Sequence, residues 1–238
     1  MSKPEQVLIL MQFALVDFES RLQEPDDMWN VVKHSMSQVF DQTPFMRPVD
    51  GALANDSIPS VHLNSSTVYS MDIARSRMDF YTAGAGAQRV EEVQGDFLKR
   101  SLEVFDLFSR YAPQRIGFVV RVFYEIPTPI PCAQRLLGLR YSELAPGNAA
   151  SLQLRYLAHL DWEDLTINST TIIDTDITAN ILGRGPGILG IQVTRDFNNV
   201  AAGHLLLDAD RVTRFVNFGL SSLWLDRTEK SLWTEATK

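Results

Sequence analysis

The chain has 238 residues, 45% of them hydrophobic and 21% charged, with a formal net charge of −7 at pH 7. That balance suits one large domain or two closely packed halves, burying roughly 70–75% of the unfolded surface, and argues against disorder away from the ends. The single cysteine, Cys132, excludes an internal disulfide and a cysteine-rich zinc site. Together with the missing signal-peptide pattern it points to a reducing, cytoplasmic setting. The acidic balance disfavours a nucleic-acid backbone as partner. The longest apolar run, residues 7–16, falls well short of the roughly 20 residues a membrane helix needs.

Residues 7–18 are apolar on both faces, as a central strand covered on two sides would be. Pro25, Asp26 and Asp27 then open a helix whose inner face is Met28, Val31, Val32, Ser35, Met36, Val39 and Phe40. Residues 43–59 carry three prolines and a glycine and read as a long loop or arm. Strands follow at 67–73 and 76–83, and Gly84 to Gly86 close the second.

The stretch 89–126 is the organising unit. Val90, Val93, Phe97, Val104, Phe108 and Tyr111 recur at helical spacing, with one longer step spanning Ser101. Glu91, Glu92, Lys99, Arg100 and Glu103 lie opposite. Pro113 ends that helix, and the even-numbered residues from Ile116 to Ile126 alternate onto one side of a strand, leaving Arg121 and Glu125 on the other. The proline-rich segment 127–132 is the best boundary, dividing the chain into an N-terminal half, 1–126, and a C-terminal half, 127–238. A short helix at 133–139 and strands at 151–164, 166–177 and 188–199 follow, with Gly183 to Gly187 turning between the last two. A final helix is capped by Asp208 or Asp210 and faces inward through Val212, Phe215, Val216, Gly219, Leu220, Leu223 and Trp224. The expected fold is α+β, with antiparallel or mixed sheets each covered by a long amphipathic helix. Its order is consistent with an internal duplication of a strand-strand-helix unit.

Arg115-Ile116-Gly117-Phe118 at the head of a strand after a central helix, and a closing strand at 191–196 followed by the helix from 208, resemble an uncharacterised, sporadically distributed bacterial protein family of about this length. Phe123-Tyr124-Glu125 stand where that family ends its strand in Tyr-Asn. The resemblance implies no activity and no catalytic residue.

Two groupings are candidates for chemistry. On the strand from 151, Gln153, Arg155, His159, Asp161 and Glu163 share the polar side. Beside Arg121 they would offer arginines for an anionic ligand, with His159 and Asp161 for proton transfer. The blander reading is a solvated sheet face with charges pairing across strands. Asp174 and Asp176, two apart on a strand, would project together about 7 Å apart and share a divalent cation. They lack a third ligand and a phosphate cradle. His34, His62, His159 and His204 are too dispersed for a metal site, neither glycine cluster has a phosphate fingerprint, and Cys132 reads as a small buried residue. Phe45 and Trp233 are apolar groups in segments with little core of their own, suited to a second subunit or a partner.

The sequence therefore favours a non-catalytic binding or assembly module acting through a protein partner or self-association, with no cofactor. The alternative is an enzyme on a small anionic or phosphorylated substrate, using Arg121, Arg155, His159 and Asp161, or a metal held by Asp174 and Asp176.

Overall fold

The computed structural model describes residues 6–20, 25–46, 58–83, 88–126, 129, 152–181, 185–200 and 207–221. Nine strands run through them: β1 (Gln6–Phe18), β2 (Phe45–Met46), β3 (Val61–Asn64), β4 (Tyr69–Ile73), β5 (Arg77–Ala83), β6 (Pro113–Glu125), β7 (Gln153–Trp162), β8 (Leu165–Ile181) and β9 (Gly185–Asn199). The helices among the described residues are α1 (Pro25–Met36), α2 (Val90–Phe108) and α3 (Ala209–Leu220), with a 3-10 turn, Ser109–Tyr111, after α2.

All nine strands form one antiparallel sheet in the order β2-β3-β4-β5-β1-β6-β9-β8-β7. This corrects the expectation of separate sheets, each under its own long helix, and with it the duplicated strand-strand-helix unit. The joint that overturns it is the antiparallel pairing of β6 with β9, from Gly117↔Asn198 to Glu125↔Gly190, which carries the strands of the N-terminal half straight into those of the C-terminal half. Alternation along a strand shows which side is apolar but not which strand lies alongside, so two sheets and one wide sheet look alike in the sequence.

The main core lies on one face, and a smaller cluster of Val7 and Phe123 with Ile9 and Ile188 lies on the other. A row crosses the middle of the sheet through Met71, Phe80, Phe13, Phe118 and Phe197, all fully buried. Over it sits α2, whose Phe97 stacks on Phe80 with centroids 5.3 Å apart and tilts against Phe118 at 6.3 Å. The gap in the α2 stripe at Ser101 is a buried hydroxyl donating to the Phe97 carbonyl at 2.8 Å, so a polar residue completes an apolar face. Beside α2 lies α3. Its Asp208 N-cap accepts from the Arg211 backbone N–H at 2.7 Å, as the sequence predicts. Gly219 of α3 rests on the Phe118 ring so closely that a Cβ would collide with it.

Residues 61–64, outside any expected strand, form β3, and His62, expected in a loop, lies in it. Most of the 43–59 arm, the glycines at 84–86, the boundary and helix at 127–139 with Cys132, and His204, Trp224 and Trp233 lie outside the described residues. No described helix is long and apolar enough to cross a membrane.

Candidate functional site

The face of the sheet away from α2 and α3 carries the polar residues. Near β1 they are tied together tightly. Asp79 accepts both the Nε and Nη2 donors of Arg77, at 2.5 and 2.7 Å, and the Gln12 amide at 2.7 Å. One strand over, His62 Nδ1 lies 2.5 Å from Asp72 Oδ1, and the Tyr81 hydroxyl donates to Asp72 Oδ2 at 3.3 Å. Burial, and then the Asp72 charge, push the Tyr81 phenol up to about 12. Past the seam, Asn168 donates to Asn198 at 3.1 Å and Asn198 to Asp196 at 3.2 Å. Arg77–Asp79 and Asn198–Asp196 lie two apart on one strand, and the others are cross-strand neighbours, the arrangement of a hydrogen-bonded outer face.

The register also places the sequence-derived candidates. Arg121, Thr194, Ile172 and Arg155 form one transverse row, so the two arginines share a face but stand three strand spacings, about 14 Å, apart. His159 is four residues along β7 from Arg155, and Asp161 two further; all three are exposed. Asp174 lies on the same face and accepts from the Gln153 amide at 2.9 Å. The β8 register against β9 shifts between Asp174 and Ile177, and the Asp176 side chain lies outside the described residues. Among the described residues no three His, Cys, Asp or Glu side chains gather as a metal site.

What these residues share is the edge of the sheet. β7 pairs with β8 over ten residues with no register shift, and among the described residues nothing pairs with its other side. The β7–β8 hairpin is held at its tip. Glu163 accepts from Arg214 Nε at 2.7 Å and lies 3.6 Å from Arg211, which also pairs with Asp164. The hydrogen bond from Arg214, outweighing the rest, holds the Glu163 carboxyl below its usual range. Behind the tip, Trp162 packs edge-on to Phe215 at 5.6 Å and against Phe218 at 6.1 Å. The tip end of this β7 ledge is therefore braced by α3. Tyr156 and Leu157 on it are 46% and 57% exposed.

A second feature has no signal in the periodicity. A cleft of about 360 Å³ opens between the end of α1, the β3–β4 turn and the first half of α2, and is lined by Gln38, residues 65–69, Gln88, Glu92, Asp96 and Arg100 among others. Tyr69 donates to Asp96 at 2.5 Å, and Arg100 lies 2.8 Å from Glu103 and 3.8 Å from Asp96. Burial, then the hydrogen bond to Asp96, raise the Tyr69 phenol above its ordinary value. The Arg100 cation is thus balanced by carboxylates of its own helix, and a ligand there would meet hydroxyls, amides and the acidic side chains of Glu92 and Asp96.

No protein-family model matches the chain, and comparison with curated proteins gives no match either.

Proposed function

We propose that this protein is a binding or assembly module that works through protein–protein contact, with no catalytic centre of its own, in the cytoplasm that its single cysteine suits. The observation carrying the reading is the β7 edge. Among the described residues β7 is the last strand of the sheet, and a ten-residue edge strand offers a row of backbone donors and acceptors, a template for another strand. Proteins that must avoid such pairing shorten the edge, bulge it, or plant lysine or proline on it. Among the described residues the strand at the opposite edge, β2, has two residues, with Phe45 exposed on it. β7 has no bulge, no lysine and no proline; its charges, Arg155 and Asp161, are of opposite sign, and it presents Tyr156 and Leu157. That asymmetry fits one guarded edge and one kept for association.

The enzymatic alternative draws no comparable support: Arg121 and Arg155 are too far apart to grip one small anion, and His159 and Asp161 stand on open surface.

Sedimentation of the labelled chain, alone at micromolar concentration and in cell extract, tests the reading. Migration well above 26.8 kDa in at least one condition is expected. A clean monomer in both sinks it.

A further inference from the structure

We propose that the occupant of the β7 edge is the β7 of a second copy of this chain, paired antiparallel about a two-fold axis through Ala158. The inference rests on the protein-association reading above and adds the partner and the register.

Parity comes first. The Leu152 carbonyl accepts from the Thr175 N–H at 3.1 Å, so even-numbered positions on this strand turn their backbone groups toward β8. The odd-numbered residues, Arg155, Leu157, His159 and Asp161, therefore turn theirs outward, and any added strand must bond to them. An isologous antiparallel pair of such strands can centre on Leu157 or on Ala158, among nearby choices. Centring on Leu157 sets Arg155 against His159 and leaves Asp161 opposite Gln153.

Centring on Ala158 sets Arg155 against Asp161 of the other copy, twice by symmetry, on the polar face. Both side chains are exposed, and neither makes an ion pair among the described residues. On the core face the same register brings Tyr156 against Leu160 of the other copy, so the half-exposed ring meets an apolar partner. The two Arg155–Asp161 pairs on one face and the Tyr156–Leu160 contacts on the other select this register, in which Leu157 faces His159 of the other copy. Each odd–odd pair would exchange two backbone hydrogen bonds, continuing the sheet from one copy into the next.

Sedimentation equilibrium of the full chain and three variants is the test. The chain is expected to be a dimer at 100 µM or below. Asp161→Arg turns both ion pairs into repulsions and should weaken dimerisation about tenfold or more. The double variant Arg155→Asp/Asp161→Arg restores the pairing and should recover the dimer, which a merely misfolded variant would not. In a Cys132→Ser background, Ala158→Cys should give a covalent dimer under diamide. Positions facing each other at a non-hydrogen-bonded site lie about 4.5 Å apart, within disulfide range, and Leu157→Cys should cross-link poorly. A dimer indifferent to Asp161→Arg, or cross-linking through position 157 in preference to 158, overturns the inference and leaves self-association standing. A monomer at 100 µM also overturns it, and migration of the chain in cell extract then decides the broader reading separately.

Discussion

Phe13 on β1 and Phe118 on β6 stand directly opposite each other in the middle of the sheet, and neither has any exposed surface. Their outer neighbours in the same row are Phe80 and Phe197. Each ring shields the next, and Phe97 spans Phe80 and Phe118 from above. Phe13→Ala and Phe118→Ala should each cost roughly 3–5 kcal/mol in urea unfolding. Because the cavities adjoin, the double variant should depart from the sum by about 0.5–3 kcal/mol. Strict additivity would mean that the two rings do not share a packing environment.

Gly219 reverses an ordinary rule. Replacing glycine by alanine inside a helix usually gains about 0.5–1 kcal/mol. Here the new methyl would enter the Phe118 ring, which is wedged in the aromatic row and has no room to yield. Gly219→Ala should therefore lose about 1–3 kcal/mol, the usual cost of overpacking. Adding Phe118→Leu should return part of it. A thermal midpoint that rises in the single variant would show that α3 does not sit this close to the sheet.

Asn199 closes the end of the β6–β9 ladder with its side chain. Its Oδ1 accepts from the Ile116 N–H at 2.7 Å and its Nδ2 donates to the Gln114 carbonyl at 3.2 Å, in a site 1% exposed. Asn199→Leu should remove both bonds and cost about 2–6 kcal/mol, at roughly 1–3 kcal/mol for each group left unsatisfied. Amide exchange at Ile116 should quicken at the same time. Unchanged exchange there would contradict the bond.

Tyr81 should titrate late. The fold raises its phenol from about 10 to about 12, first through burial and then through the negative charge of Asp72. The folded protein thus holds a proton that the unfolded chain releases. Its contribution to stability is complete below pH 10 and is lost as pH rises from there through about 12. Absorbance at 295 nm should show a phenol ionising in this range that disappears in Tyr81→Phe and moves down in Asp72→Asn. A Tyr81 signal complete by pH 10.5 would refute the assignment.

The β7 ledge depends on α3 as well as on its own sequence. Removing the guanidinium that grips Glu163, in Arg214→Ala, should loosen the hairpin tip locally with little effect on global unfolding, since the pair is solvent-exposed. Faster proteolysis near residues 163–165 with an unchanged urea midpoint is the expected pattern. A large shift in that midpoint would show the tip to be part of the core.

Much of the local structure was legible in the residues. The stripes from Val90 to Phe108 and from Val212 to Leu220 form α2 and α3, and the even-numbered side of β6 faces the core. Asp208 caps where its side chain and position imply. These are local facts, set by side-chain period and by the hydrogen bonds a short segment can make with itself. β3 was missed because a four-residue strand beside a proline-rich stretch has too little period to register.

Only tertiary structure decided what lies beside what. A strand with apolar side chains on both sides, such as β1, can sit between any two neighbours, and the sequence does not say that β6 is one of them. The same gap hid the separation of Arg121 from Arg155, the cleft beside Asp96, and the place of β7 as the last strand among the described residues. Alternation records the surroundings of each residue one strand at a time, whereas partner and register are settled by the summed packing of distant segments, which no short window contains.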